Sequence, residues 1–447
     1  MSRHAKTLEK NFSIPTVGVA GANIVGYATG YDFIYANGMP IRYVALPFPV
    51  AGQPKPVHHQ YIFEGKDQVS GKPTMQAIVD ALTRPLTDKE KIKGVLPEAA
   101  SEPRLLPPDT EDNLRRLFKD KDWTDYYPVI LPTEERVKKM LAGTSHKPDE
   151  VVKTITWPGG ARPLTVEKAA ICAVMADAKP EYFPVILAIA TQVPYGNSTT
   201  SMANMIVVNG PVRKAIGMNS GGHALGPYNE ANSIIGRTLT LMSKTAGGLH
   251  NKVTTWSSLG STIQYNNLCM AENEEDLPAG WDPLHVSNGF KLYDSTVTVG
   301  IGWSYISSVG SVQQAYPPHM LMRDYMKSLS ANGSGATILM DPTVAALLKD
   351  AHGFKTKAAL GEWLSQNIEK TVASYWGNAV AASMSEPLAL QGLEPYATWR
   401  KLPGDAVIKP FVNPRGISVV VVGGKTQSTW FATDFRLARG VSVDEWK

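Results

Sequence analysis

The feature that most constrains the fold is a short apolar run at residues 417–422, ISVVVV, which ends in Gly423 and Gly424. A run rich in valine and isoleucine, with almost no polar alternation, is typical of a strand whose two faces are both covered. Such a strand needs packed layers on each side of its sheet, and a helical pattern occurs nearby at residues 355–370. The sequence therefore predicts an α/β protein.

The amino-terminal segment has the pattern of a small parallel sheet. Apolar runs at 16–20 and 41–46 are separated by a glycine-containing turn at 21–26 and a helical stretch that ends near Gly38. The order strand, helix, strand is typical of parallel pairing. The proline-rich segment 47–56 then ends the second strand, because proline cannot donate to a ladder.

The chain of 447 residues is long enough for two or three domains. Residues 88–112 are charged, contain prolines and lack periodicity, which is typical of a linker. We therefore predict a small α/β module over 1–87, a linker over 88–112, and a larger α/β module with Rossmann-like sheet elements over 113–447.

Composition narrows the classes of partner. The chain has 44 basic and 40 acidic residues and a formal charge of +4, without the clustered basic face that nucleic acids require. Its apolar stretches are far shorter than the ~20 residues that span a bilayer. The two cysteines, Cys172 and Cys269, cannot form a disulfide framework and fit a reducing compartment. We expect a cytoplasmic homo-oligomer with a small-molecule substrate and no nucleic-acid or membrane partner.

The first candidate site is a glycine-rich polar loop within VNGPVRKAIGMNSGGHALGPYNEANSIIGR, residues 208–237. Backbone N–H groups of such a loop, and the start of the helix that follows it, can bind an anion. Arg237 could pair with a carboxylate, while His223 or Tyr228 could stabilise developing charge. A turn that needs glycine only for positive φ is the alternative. The predicted substrate-binding residues here are Asn219, Ser220, Gly221, Gly222, Asn229, Asn232 and Arg237.

The second candidate site follows a strand predicted at 263–270, which would bring Cys269 and an acidic run to a strand end. Glu272 or His285 could act as general base or acid, with Asn273 as a substrate ligand. Glu272, Glu275 and His285 also form a candidate divalent-metal site, although their spacing fits no standard zinc pattern. No other cofactor is expected. A solvated acidic turn is the alternative.

The third candidate site is the turn at residues 423–428, GGKTQS, directly after the buried strand. It lacks the full spacing of a phosphate loop and therefore carries little weight as a nucleotide signature. As the wall of a pocket it predicts Gly424, Lys425 and Ser428 as further substrate ligands.

Four segments together, 165–190, 208–237, 268–298 and 417–428, resemble the family of bacterial proteins that carry a UGSC-like domain. The family is named for a selenocysteine/cysteine-Gly-Ser-Cys motif in its small module. The resemblance covers most of 125–430, and residues 13–87 look like the small module fused in front. It implies an architecture more than an activity.

This chain departs from the family at two thiol positions. The turn at 21–26 contains no cysteine, and the family's Gly-Cys pair is replaced by Asp177 and Ala178. Of the family's cysteines that can be placed, only Cys269 remains. A thiol–selenol mechanism needs a resolving partner, which these positions no longer provide.

Three hypotheses follow. The first is a cofactor-independent lyase or hydrolase that uses acid/base chemistry on a small, polar, carboxylate-bearing substrate held where the modules meet. The second is a thiol-dependent redox enzyme or reductase component that uses Cys269. The third is a non-catalytic binding or assembly protein. The predicted catalytic residues are Glu272, His285, His223, Tyr228 and Cys269.

Overall fold

The computed structural model describes most of the chain. The helical stretch predicted between the first two strands and the middle of the predicted linker lie outside the described residues. The described residues are 2–23, 25, 41–50, 53–91, 103–157, 160–192, 201–250, 255, 257–310, 315–426 and 428–447.

The amino-terminal part contains one small sheet. Strands β1 and β2 pair in parallel, with Val17 opposite Arg42, so the predicted parallel pairing is confirmed. Arg42 Nε also donates to Glu90 Oε1 at 3.0 Å, which attaches the start of the predicted linker to this module. The elements are α1 Ser2–Phe12, β1 Val17–Gly21, β2 Arg42–Leu46, α2 Lys55–His59, α3 Thr74–Thr83 and α4 Asp88–Lys91.

The rest of the chain alternates between helices and strands. Its helices are α5 Glu111–Asp120, α6 Glu134–Leu141, α7 Val166–Met175, α8 Phe183–Gln192, α9 Val212–Ala215, α10 Glu230–Thr245, α11 Leu284–Ser287, α12 Pro318–Met326, α13 Pro342–Asp350, α14 Lys357–Asn367, α15 Val372–Gly377, α16 Ala379–Leu390 and α17 Tyr396–Trp399. Its strands are β3 Val151–Trp157, β4 Gly160–Thr165, β5 Ala203–Asn209, β6 Cys269–Ala271, β7 Thr296–Gly302, β8 Tyr305–Val309, β9 Ala336–Met340, β10 Lys370–Thr371, β11 Val407–Ile408, β12 Ile417–Val421, β13 Thr429–Thr433, β14 Arg436–Leu437 and β15 Val441–Ser442.

Two mixed sheets form the centre of the larger part. The first has the order β14-β7-β5-β6, with β15 also on β7, and the second has the order β12-β9-β13-β8. Within them β5 pairs with β6 and β12 pairs with β9 in parallel, whereas β7 is antiparallel to β5. The α/β class is therefore confirmed. The antiparallel partners make both sheets mixed, which differs from a wholly parallel Rossmann sheet.

The two sheets pack face to face, with helices on their outer faces. Met205 and Val207 of β5 share one buried cluster with Leu339 of β9 and Val420 of β12. The opposite face of the first sheet packs against α7, α8 and α10, and that of the second packs against α12, α13 and α14. The result is a four-layer arrangement in which alternate residues of each central strand face a helix layer or the other sheet.

Two helix starts follow directly from their capping residues. Thr133 accepts from Arg136 N at 3.4 Å where α6 begins, and Thr165 accepts from Lys168 N at 3.3 Å where α7 begins. A threonine side chain at this position satisfies a backbone N–H that the helix leaves unpaired. A threonine directly before a helical pattern predicts such a cap at both positions, and the structure confirms the two caps.

The strand predicted at 263–270 is wrong over most of its length. The chain forms a 3-10 turn at Thr262–Tyr265, and only Cys269–Ala271 pairs in the sheet. Asn267 and Leu268 have φ of 53° and 40°, which breaks the extended conformation. Asn267 Nδ2 donates to Gly236 O at 3.0 Å, so this segment is attached to α10 instead of extending β6.

In the described parts of the chain, no helix has both the length and the apolar character needed to cross a bilayer.

One titratable side chain is surrounded by aromatic rings. The ring of His319 on α12 lies 4.8 Å from those of His352 and Trp363 and 5.2 Å from that of Phe354, measured between centroids. Burial, together with the nearby His352 and Arg323, lowers the pKa of His319 to about 4. Folding therefore disfavours the protonated imidazole.

This environment predicts a loss of stability in mild acid. The unfolded chain binds a proton at His319 near its ordinary pKa of about 6.5, whereas the folded chain does so only near pH 4. The contribution is present above pH 6.5 and is lost as the pH falls from 6.5 to 4. Urea unfolding between pH 7 and 4.5 should show a flatter pH dependence for His319→Gln than for wild type. His59→Gln, at a side chain that is 65% exposed, is the control and should leave the slope unchanged; equal slopes in all three proteins would contradict the assignment.

Candidate functional site

Three predicted segments meet at the carboxyl ends of β5, β6 and β12. We name them the glycine loop (residues 219–228), the acidic segment (272–276) and the Gly-Gly turn (423–425). Asn273 N donates to Val421 O at 2.8 Å, and its Nδ2 donates to Gly423 O at 3.0 Å. Gly423 N donates in turn to Ser220 O at 2.8 Å. Carboxyl ends of strands are where open α/β sheets place ligands, so this convergence is the candidate site.

The backbones of the glycine loop and the Gly-Gly turn touch each other. A Cβ atom placed on Gly424 would lie 3.0 Å from Gly222 N, so a side chain there would force the loops apart. The N–H groups of Gly222, His223 and Gly424 donate to no acceptor among the described residues. Backbone N–H groups without an acceptor can bind an anion where they point to a common centre. Gly221 N is different, because it donates to Asn219 Oδ1 at 2.9 Å.

The asparagines predicted as substrate ligands hold the glycine loop in shape. Asn219 Nδ2 donates to Gly222 O at 2.8 Å, and Asn232 Nδ2 donates to Asn219 O at 2.8 Å. Asn229 Nδ2 donates to Ala224 O at 2.5 Å. Because Asn229 and Asn232 are buried, these amides position the loop backbone, which is a different task from direct contact with a substrate.

His223 and Tyr228 lie on the outer side of the same loop. Their rings meet edge to face with centroids 4.7 Å apart, and both side chains are exposed. His223 has a φ of 62°, in the left-handed region that a residue with a side chain seldom adopts. Strained backbone of this kind is concentrated at functional positions.

Arg237 is not part of the convergence. Its guanidinium donates to both carboxylate oxygens of Asp125, at 2.7 and 3.0 Å, and to Pro128 O at 2.7 Å. The sequence places this residue near the loop, but a bidentate partner from the segment before α6 already occupies its planar fork. In this structure the Arg237 guanidinium therefore pairs with Asp125 and does not contact the glycine loop.

The other polar residues of the Gly-Gly turn have different surroundings. Lys425 Nζ lies 2.5 Å from Asp276 Oδ1, with 62% of the lysine side chain exposed. Ser428 is buried beside the start of β13. Of the two, Lys425 is the one that solvent can reach.

Glu272 is wholly buried and forms an ion pair that the sequence did not reveal. Lys357 Nζ, on the first residue of α14, donates to Glu272 Oε1 at 2.5 Å. Glu272 Oε2 accepts from Asn209 Nδ2 and from Leu284 N, each at 2.7 Å. The carboxylate thus has a partner for each oxygen, which is what a charged group needs in a dry interior.

A second missed residue, Arg213, organises the rest of the acidic segment. It is 3% exposed and donates to Glu272 O at 2.7 Å, to Glu274 Oε2 at 2.7 Å and to Glu275 Oε1 at 3.0 Å. Burial opposes the ionisation of Glu275, but hydrogen bonds from Arg213 and Lys214 outweigh it and lower the pKa of Glu275 to about 2. The acidic segment is therefore a compensated ion network and not a solvated turn.

A weak sequence signal for Lys357 existed. A cation at the first position of a helix is disfavoured by the helix dipole, so a lysine directly after the Thr356 cap indicates a specific anionic partner. Arg213 offers no comparable signal, since it follows Asn209, Gly210 and Pro211 without a recognisable spacing.

His285 is buried beside this network. Its Nε2 lies 3.2 Å from Leu292 O and donates to it. Its Nδ1 has no hydrogen-bond partner in the described part of the chain and lies 3.9 Å from Glu274 Oε1. The ring is 0% exposed, so a ligand at the surface cannot reach it directly.

The carboxylates predicted for a metal site with His285 already have cationic partners in this structure. Glu272 pairs with Lys357, and Glu275 pairs with Arg213. Within the described ranges, no three His, Cys, Asp or Glu side chains are placed to hold a metal ion.

Both cysteines lie in apolar surroundings. Burial raises the pKa of Cys172 to about 11 and raises that of Cys269 further. Because the thiolate is the nucleophile, neither environment favours thiol chemistry.

Comparisons with known proteins add no assignment. No family model, no curated protein and no solved structure matches this chain. The resemblance to UGSC-like proteins therefore stays a prediction.

Removing one partner of the buried ion pair should cost far more stability than removing one partner of an exposed pair of the same length. Lys357→Met leaves Glu272 charged and buried without its cation, so we expect the free energy of unfolding to fall by about 3–5 kcal/mol. The double variant Glu272→Gln/Lys357→Met should lose less than the sum of the two single variants. Urea unfolding measures all three. Lys425→Met is the matched control, because its exposed pair should contribute less than about 1 kcal/mol; equal losses at the two lysines would contradict the buried network.

The thiols should react slowly in the folded protein. We expect a chromogenic disulfide reagent to modify neither Cys269 nor Cys172 until urea unfolds the chain, when both of its cysteines react. Mass spectrometry of the labelled peptides identifies each site. Rapid modification of Cys269 in the native protein would restore the thiol-dependent hypothesis.

Proposed function

We propose that this chain is an enzyme, a cofactor-independent lyase or hydrolase, that acts by acid/base chemistry on a small polar molecule carrying a carboxylate. The observation that carries the proposal is the contact between the glycine loop and the Gly-Gly turn, where the N–H groups of Gly222, His223 and Gly424 have no acceptor among the described residues. In this role they would bind the carboxylate or an oxyanion that develops from it.

Proton transfer falls to the exposed side chains of the glycine loop. Histidine is the side chain that most readily exchanges protons near neutral pH, and His223 lies directly beside the unpaired N–H groups. Tyr228 packs edge to face on its ring and would hold or hydrogen-bond the developing charge. We therefore assign His223 as the proton-transferring group and Tyr228 as its partner.

Glu272 takes a positioning role in this proposal, and the wholly buried His285 takes no part in proton transfer to the ligand. The Glu272 carboxylate already accepts from Lys357, Asn209 and Leu284. A buried carboxylate whose oxygens already accept these hydrogen bonds cannot transfer a proton to a ligand unless its ion pair with Lys357 is first broken. Glu272 instead fixes the strand end from which Asn273 reaches the Gly-Gly turn.

The hypothesis of a binding or assembly protein uses the same site without turnover. The observations that support the enzyme, unpaired N–H groups and an exposed histidine with strained φ, also suit a carboxylate receptor. Binding without conversion of any ligand separates the two.

Further parts of the proposal rest on the sequence. A cytoplasmic location is supported by the two unpaired cysteines, both of which are buried as free thiols. A homo-oligomer is supported by the size and class of the chain. A relation to bacterial UGSC-like proteins is supported by the four segments that resemble them.

The test combines binding with turnover. Acetate, succinate, malate and citrate at constant ionic strength should include at least one ligand that raises the melting temperature of the wild type. Gly424→Ala should abolish the shift, because its Cβ would meet Gly222 N at 3.0 Å. Gly377→Ala is the matched control, since a Cβ there meets nothing within 4 Å.

Turnover of the shifted ligand is then followed by NMR. His223→Ala should retain the thermal shift and lose about 10²–10⁴-fold in rate, whereas His59→Ala should be unaffected. No shift with any carboxylate, or a shift that survives in Gly424→Ala, would contradict the anion site. A shift without conversion would favour the receptor.

A further inference from the structure

A second cavity lies at the other end of β5. It has a volume of about 450 Å³ and is bounded by the start of β5, by α10 and by the segment before β6. That volume is within the usual range of small-molecule pockets, about 300–1,000 Å³. β5 runs from Ala203 to Asn209, so the cavity and the glycine loop are separated by about 20 Å of strand.

The charges in the cavity wall are compensated. Lys244 Nζ donates to Asp122 Oδ1 at 2.7 Å, and Asp125 receives the guanidinium of Arg237 at 2.7 Å. With each charge paired, the wall attracts neither anions nor cations strongly. The ligand that suits it is uncharged.

The rest of the wall is rich in hydroxyl and amide groups. Ser258, Thr262, Asn204 and Gln264 all line the cavity. The hydroxyls of the first two and the side-chain carbonyls of the last two hydrogen-bond to no other described residue. The amide nitrogens of the last two are in use: Asn204 Nδ2 donates to Asn267 Oδ1 at 3.2 Å, and Gln264 Nε2 donates to Met202 O at 2.7 Å. Both amides are therefore held with their carbonyl oxygens as the remaining acceptors, beside two hydroxyls that can donate or accept.

Two tyrosine rings complete the cavity. Tyr265 is 46% exposed and Tyr126 is 60% exposed, and both belong to the cavity lining. The ring of Tyr127 lies 4.8 Å from that of Tyr265, centroid to centroid, and supports it from outside. Tyrosine offers an apolar face with a polar tip, which suits a ligand that has both C–H faces and hydroxyl edges.

We propose that this cavity binds an uncharged polyhydroxylated molecule, a pyranose sugar, with its hydroxyls on Ser258, Thr262, Asn204 and Gln264 and its C–H face on Tyr265. A sugar supplies several neighbouring groups that both donate and accept, which is what hydroxyls and amide carbonyls at one wall require. The site is distinct from the carboxylate site of the proposed function and does not depend on it.

The test uses isothermal titration of the full chain with glucose, galactose and mannose. At least one sugar should bind. Glucuronate, glucosamine and inorganic phosphate should bind at least about tenfold more weakly, because their charges would lose hydration without gaining a partner in the wall. Tyr265→Ala and Thr262→Val should each weaken sugar binding by about tenfold. Tyr293→Ala is the matched control and should not change it, because this tyrosine is 81% exposed and lies outside the cavity lining.

These measurements test the sugar site and the carboxylate site independently. A protein whose carboxylate response is lost in Gly424→Ala and whose sugar binding is lost in Tyr265→Ala carries both sites. No binding of any neutral sugar would overturn the proposal, as would unchanged affinity in both Tyr265→Ala and Thr262→Val. A preference for phosphate or glucuronate would overturn it too, because it would place an uncompensated positive charge in the wall. Neither result bears on the carboxylate site, for which Gly424→Ala is the indicator.

Discussion

The arrangement of the two central sheets depends on the ion pair between Glu272 and Lys357. Glu272 follows β6 of the first sheet, whereas Lys357 begins α14, which covers the second sheet. Removing both charges from water costs several kcal/mol for each ion, and only a complete set of partners offsets that cost. Asn209 and Leu284 supply the remaining hydrogen bonds. The pair therefore links the two sheets at this end, and a shift that separated its partners would leave a buried charge unpaired.

That constraint reaches the surface through a short series of hydrogen bonds. Glu272 fixes the end of β6, Asn273 bonds to Val421 and Gly423, and Gly423 bonds to Ser220 of the glycine loop. Each step is a backbone or amide contact with little freedom. The loop that carries the unpaired N–H groups is thus held by the buried network, and such preorganisation is what electrostatic stabilisation of a bound anion requires.

Local patterns made much of this fold predictable. Two helices were predictable from their caps at Thr133 and Thr165, and β12 was predictable from its apolar run. In each case the residues that determine the element are neighbours in the sequence. The alternation of threonine and valine in β7 is likewise typical of a strand. The ion partners were not predictable: Lys357 lies 85 residues from Glu272 and Arg237 lies 112 residues from Asp125, distances at which residue type indicates a charge but not its partner.

The division between buried and exposed polar groups also sets what each can do. The carboxylates nearest the strand ends are the obvious acid/base candidates in the sequence, yet Glu272 and Glu274 are committed to Lys357 and Arg213 in the interior. In a low-dielectric environment such ion pairs hold the surrounding segments in place, but their carboxylates do not readily exchange protons with a ligand. The glycine loop differs, because it has an exposed histidine and backbone N–H groups without an acceptor among the described residues. A site of this kind needs both a buried charged network that holds its backbone and exposed groups that can contact a ligand. In this protein different residues meet the two needs.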